Sequence, residues 1–199
     1  LAQFLQGPAK YFLKQRLVVS LGSEAEPVEN REPLQLDQLA SWAVGDEILE
    51  HHSAGRGPRE IFEAIRAAGK LPLGSPGALS YDDLLPEVRA ILARASLLRT
   101  GRRLPPLEIE RRLHGVCLTG LLEDLFEEHG QVRVQFSRLR RPKEITSWVN
   151  HLALQCFAPP GHPRSALLVG RQPKDAREIE VSFRTVTNPE SLLGDLIAL

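Results

Sequence analysis

The sequence predicts an α+β fold: one domain with a mixed sheet, helices on its faces, and a helical insertion ahead of the sheet. Three observations predict it. Residues 1–100 place apolar side chains at helical spacing, punctuated by Pro and Gly. Residues 104–136 shift to short apolar runs, and Val132, Val134 and Phe136 alternate with Arg133 and Gln135 as in a half-buried strand. A helical stretch then leads to two more strand-like runs, which requires a crossover and a mixed sheet. The domain divides into an opening helix (1–22), a mainly helical insertion (23–100) and the sheet core with its helices (101–199).

Leu1 to Leu17 reads as helix, with Phe4, Leu5, Pro8, Tyr11, Phe12 and Leu17 near helical spacing. Gly7-Pro8 divides it, because Pro is tolerated in a first turn. Val18 to Leu21 fits a short strand, and the acidic, polar Ser23 to Pro33 a loop. Leu36 to Glu50 is an amphipathic helix, with Asp37 capping or charging its first turn. Pro58 to Ala68 is another: Pro58 suits the first position, Ile61, Phe62 and Ile65 form the stripe, and Gly69 stops it. Leu71 to Ala78 is rich in Pro and Gly and reads as irregular. Ser80, with Asp83 three residues on, reads as the N-cap of a helix running to about Thr100, which Pro86 splits or kinks.

Leu104 to Leu113, Val116 to Phe126 and Val132 to Phe136 read as three successive antiparallel strands, with His129-Gly130 turning between the last two. Pro142 to Phe157 is a helix through Ile145, Trp148, Val149 and Leu152, ended by Pro159-Pro160-Gly161. Ala166 to Val169 and Ile179 to Phe183 are strands. Asn188 caps a last helix to Leu199, with Pro189 first and Glu190 adding negative charge to its first turn.

The 25 basic residues balance the 25 acidic ones. Global charge therefore gives no nucleic-acid signal, and any basic patch must be local. No run of 18 apolar residues suggests a membrane span. Cys117 and Cys156 lie in apolar stretches without a paired motif, which predicts buried thiols in a reducing compartment. No Met occurs, so the chain reads as a piece of a longer protein.

The chemistry centres on Gly120 to Phe126 and Gln131 to Ser137, laid out like the hairpin of a metal-dependent nuclease core with its catalytic letters missing. Glu123 stands where such a core places its first metal-binding acid. Gln135 stands at the second acid, and Ser137 at the lysine. Magnesium takes oxygen ligands in near-octahedral geometry, and it both activates water and neutralises phosphate charge. Gln is neutral, and Ser supplies no positive charge. Arg138 comes one position late and would face the other side of a regular strand. The plainer reading of Glu123, Asp124, Glu127 and Glu128 is an exposed acidic strand end, since a charge run is usually a solvated surface. His51 and His52 are adjacent and diverge on a helix, and His151 borders an apolar stripe, so neither makes a ligand pair. Phosphate loops, CxxC pairs and HExxH are absent.

Three places carry a family resemblance. Leu1 to Leu17 resembles the helix that opens the nuclease-type domains of bacterial recombination helicase–nucleases. Glu32 to Leu39 resembles the acidic loop and helix that follow it in RecC proteins. Gly120 to Phe126, Val132 to Arg138 and Ile145 to Leu154 resemble the RecC core hairpin and helix. The set covers nearly the whole chain, in order. It is similar to the C-terminal domain of the RecC family, the gamma subunits of exodeoxyribonuclease V. That resemblance implies a PD-(D/E)XK nuclease-like core without a working site and with no cofactor of its own. It also implies a scaffold in the bacterial cytoplasm that meets a RecB-type beta subunit and a RecD-type alpha subunit. These partners would use magnesium and ATP, and single strands of an unwound DNA end would be guided past the domain.

Two basic groups are candidates for DNA: Arg102 and Arg103 with Arg99, Arg111 and Arg112, and Arg138, Arg140, Arg141 and Lys143 with Arg133. The guanidinium fork matches phosphate, and the second group leads into a helix N-terminus. Solubility and pairing with nearby Glu explain the same residues. Three functions stay open: a noncatalytic assembly and DNA-guiding domain, an active nuclease with a migrated acid or lysine, and a pure protein-interaction domain.

Overall fold

The computed structural model describes residues 1–19, 34–139, 141–171 and 178–199. Its centre is a four-stranded sheet in the order β3-β4-β5-β6. The strands are β3 (Leu125–Phe126), β4 (Gly130–Arg138), β5 (Ala166–Arg171) and β6 (Glu178–Ser182). β4 and β5 run parallel, because α6 (Arg141–Phe157) carries the chain back between them, while β3 and β6 are antiparallel to their neighbours. The sheet is mixed, as expected.

One face meets three helices: α3 (Gln38–Ser53), α4 (Pro58–Ala67) and α5 (Ser75–Leu98). Val132, Phe136, Leu167 and Val169 from the sheet join Val44, Ile48, Ile61, Ile65, Val88 and Ile91 in one buried cluster. Asp37 caps α3, its Oδ1 accepting from Ala40 N at 2.7 Å. α6 covers the other face, and α1 (Ala2–Gln6) and α7 (Pro189–Ala198) pack on α6. α2 (Pro8–Gln15) follows α1 after the predicted break at Gly7-Pro8. The three layers follow from strands that are apolar on both faces, as in β5, where every residue is buried.

Several expectations change. The three predicted strands do not form one meander. β1 (Leu107–Leu113) and β2 (Val116–Leu122) make a separate two-stranded sheet. The run from Val116 to Phe126 breaks at Glu123-Asp124, where Asp124 adopts φ 57°; Asp tolerates this left-handed conformation, and the chain there swings into the main sheet. Pro105 and Pro106 cannot donate to a ladder, so β1 starts at Leu107 rather than Leu104. The residues before them line the edge of β3 instead: Leu104 N donates to Leu125 O, and Glu127 N to Arg102 O.

Ser80 is not a cap. α5 begins five residues earlier, behind Gly74 at φ 71° and with Pro76 in its first turn. The close approach explains Gly77, where a Cβ would lie 2.0 Å from the Pro72 carbonyl oxygen. The Pro- and Gly-rich stretch is thus partly a helix start, and α5 runs unbroken through Pro86. Asn188 stands at the cap of α7 but makes no side-chain cap bond. Val18 and Val19 are not strand; the remainder of that predicted strand and the loop Ser23 to Pro33 lie outside the described residues. Cys117 is exposed on the outer side of β2, and Cys156 is half-buried, because apolar neighbours in sequence do not decide which strand face meets the core. Among the described residues no helix is long and apolar enough to cross a membrane.

Candidate functional site

The predicted site residues meet in a cleft of about 650 Å3 between α3, β4 and the β2–β3 joint. Glu123 and Asp124 come from the joint, Arg133 and Gln135 from β4, and Arg103 from the β3 edge. α3 adds Asp46 and Glu50, one turn apart on one helix face. Glu123 is held by its backbone, its carbonyl oxygen accepting from Gln131 Nε2 at 2.9 Å.

The ladder between β4 and β5 shifts register between Val134 and Arg138. That irregular stretch contains Gln135 and Ser137. Within it, Phe136 N donates to Asp46 Oδ1 at 2.6 Å, so α3 satisfies the amide. Gln135 is buried, and its Nε2 donates to Ser137 O at a long 3.4 Å. Ser137 Oγ is buried without a hydrogen-bond partner among the described residues. It is absent from the cleft lining, so the structure brings Glu123 and Gln135 together and leaves Ser137 aside.

One ion pair lies within the cleft. Asp124 pairs with Arg103 at 3.1 Å. Among the described residues Glu50, Glu123 and Arg133 make no ion pair. Beneath the cleft, Arg171 lies over the Phe136 ring, 4.2 Å from its centroid, and pairs with Glu87. Burial pulls the Arg171 guanidinium below its ordinary value, and Asp46 opposes that pull. Four carboxylates line the cleft. Even so, among the described residues no group of three or more His, Cys, Asp or Glu is placed to hold a metal ion. A magnesium site needs several oxygens converging at about 2.1 Å.

The whole chain, residues 1–199, matches the family model for the RecC C-terminal domain. The chain belongs to that family. It is similar to the RecBCD enzyme subunit RecC of Mycolicibacterium smegmatis, 28% identical over 203 residues, which covers all of this chain and 18% of that protein. The Mycobacterium tuberculosis H37Rv protein of the same name is 26% identical over 200 residues, again all of the chain and 18% of the relative. The Escherichia coli K12 protein is 26% identical over 152 residues, or 76% of the chain and 13% of the relative. The chain thus spans less than a fifth of the length of these relatives.

In this RecC-type domain, of the candidate DNA-binding residues whose side chains are described, Arg103 lines the cleft and Arg102 and Arg138 do not. Arg102 is exposed and pairs with Glu127 at 3.3 Å. Arg103 faces Asp124 in the cleft. Arg138 ends β4 half-buried, its Nε without a partner among the described residues. Arg140 lies outside the described residues, and Arg141 and Lys143 belong to the first turn of α6. Arg99 is built into the fold: it lies over the Phe126 ring at 5.6 Å and donates to Val132 O and Ser53 Oγ, both at 3.3 Å. Burial lowers the pKa of its guanidinium, an effect opposed by Asp124.

Sequence reasoning missed Asp46, Glu50 and Arg171. The signal for the first two was present: carboxylates at i and i+4 share a helix face. No local signal announces Arg171, whose partners come from α5 and β4.

Proposed function

We propose that this chain is the noncatalytic assembly and DNA-guiding domain of a RecBCD-type helicase–nuclease acting in double-strand break repair and recombination in the bacterial cytoplasm. The observation that supports it is the chemistry of the cleft. The strand position that should carry a second metal-binding acid holds the neutral Gln135, and Asp124 is spent on Arg103. A magnesium ion would activate water and neutralise phosphate charge, and a neutral amide at that position beside a paired Asp124 leaves it fewer free carboxylates to bind. RecB-type and RecD-type subunits are the partners, and magnesium and ATP serve those subunits rather than this domain.

The test is a calorimetric magnesium titration of the chain beside a nuclease assay. The expected result is no saturable heat and no cleavage. Magnesium-dependent cleavage that disappears in Glu123→Ala would instead establish an active nuclease.

The ion pairs of Arg102 and Arg103 favour a second reading, a domain that binds protein and not DNA. Neutralising Arg138, Arg140 and Arg141 in the assembled complex separates the two. DNA guiding requires weaker binding and a flatter salt dependence; unchanged affinity supports protein binding alone.

A further inference from the structure

Residues 1–19 contain no Asp or Glu, although the whole chain balances 25 basic residues against 25 acidic ones. Lys10, Lys14 and Arg16 give this stretch its charge, and Tyr11 and Phe12 lie among them. α1 anchors it: Leu1, Ala2 and Leu5 pack into the cluster around Val149 and Leu152 of α6, and Gln6 donates to Thr146 Oγ1. Gln6 also lines the cleft, so α2 starts just beyond the cleft's rim. From there α2 buries none of its residues.

Leu13 is the one residue of α2 that is not exposed. Successive side chains turn by about 100° around a helix. The side opposite Leu13 therefore presents, in order around the axis, Lys10, Lys14, Tyr11, Phe12 and Arg16. Two rings stand side by side with cations flanking them. Tyr11 is 37% exposed and Phe12 52%. The Phe4 ring meets Tyr11 edge-on at 5.7 Å between centroids, which holds it in place. Among the described residues Lys10, Lys14 and Arg16 make no ion pair.

We infer that this face of α2 binds single-stranded DNA, with Lys10, Lys14 and Arg16 on its phosphates and bases stacked on Phe12 and Tyr11. The inference rests on the DNA-guiding reading above and gives it a surface outside the arginines of the sheet core. Charge and rings together choose the occupant. A polyanion brings a partner to each cation. An exposed ring beside a cation is a platform for a base of any sequence. A duplex hides its base faces in its own stack, so the rings select a single strand. Protein laid over the same face would bury three cations unless it brought a carboxylate to each.

The experiment titrates the protein with oligothymidylate over a range of salt. Lys10→Gln, Lys14→Gln and Arg16→Gln together should flatten the slope of log affinity against log salt by about 2, since each phosphate contact on a single strand is worth about 0.7. Phe12→Leu keeps the position apolar; it should weaken binding about tenfold and leave the slope unchanged. In the complex assembled with the partner subunits, an iodouracil-substituted strand should crosslink to Tyr11 or Phe12 on irradiation. No binding, or parental slope and affinity in both variants, overturns this inference and leaves the guiding reading to its own test at Arg138, Arg140 and Arg141. Binding by the protein alone with no crosslink at Tyr11 or Phe12 in the complex gives this face to a protein neighbour there, and also overturns it. A complex in which no residue of this domain crosslinks to DNA overturns the guiding reading as well.

Discussion

Gly45 sets how closely α3 approaches the sheet, and Gly45→Ala tests that spacing. A Cβ at this position would lie 2.1, 2.3 and 2.5 Å from three carbons of the Phe136 ring. Carbon atoms in good contact sit about 3.5–4.0 Å apart, so ring or helix must give by more than about 1 Å. The ring has little freedom: Phe136 is fully buried, and the Arg171 guanidinium lies over it. Moving α3 instead strains the bond from Phe136 N to Asp46 and shifts the two carboxylates that α3 brings to the cleft. Overpacking of this kind costs about 1–3 kcal/mol. Replacing a helical Gly by Ala returns about 1 kcal/mol. With the clash at the upper end of its range, the net loss is about 2 kcal/mol. Urea denaturation of both proteins measures it as a shift in midpoint at constant slope. In a Phe136→Leu background the obstructing ring is gone, and Gly45→Ala should then cost less than about 0.5 kcal/mol, a coupling of at least about 1.5 kcal/mol. A Gly45→Ala protein as stable as the parent, or an equal cost in both backgrounds, would refute the reasoning.

Three further outcomes follow from the structure. His151 is fully buried between α6 and the chain after β6, its Nε2 3.1 Å from Arg184 O, and burial lowers its pKa against the pull of that carbonyl. The folded value lies below the unfolded one, so the unfolded chain binds more protons in acid. The stability from neutral His151 is complete above about pH 6.5 and is lost as pH falls below it, at no more than about 1.4 kcal/mol per pH unit. Denaturation midpoints across this range should fall more steeply for the parent than for His151→Gln, and parallel slopes would count against it. Glu87→Ala leaves the buried Arg171 short of a partner and should cost about 2 kcal/mol. The exposed pair broken by Arg102→Ala should cost under about 0.5 kcal/mol, with both read from chemical denaturation. Thiol labelling near neutral pH should modify exposed Cys117 at least about tenfold faster than Cys156, whose pKa is pushed up to about 11 by burial and then by Glu190; equal rates would contradict that placement.

Periodicity made most helices legible, including the break at Gly7-Pro8 and the Asp37 cap, because these are settled within a few residues. It failed at Ser80, where Pro and Gly read as loop although Pro76 suits a first turn and Gly77 serves a close contact with Pro72. It also merged β2 with β3, since apolar runs do not reveal that Asp124 turns left-handed between them. The cleft was half legible. Glu123 and Gln135 were singled out from the pattern, and they share one cavity.

The amino-acid order alone determined the local pieces: which segments coil, which extend, that residue 135 is a neutral amide, and that β2 is uncharged. Each depends on side-chain chemistry and on neighbours one turn or one pleat away. Tertiary structure decided the rest. It assigned β1 and β2 to their own sheet, brought Asp46 and Glu50 against the β2–β3 joint, and set Arg171 over Phe136. Those outcomes depend on which buried faces meet, a choice made by packing between residues as far apart in sequence as Asp46 and Phe136, and no local period records it.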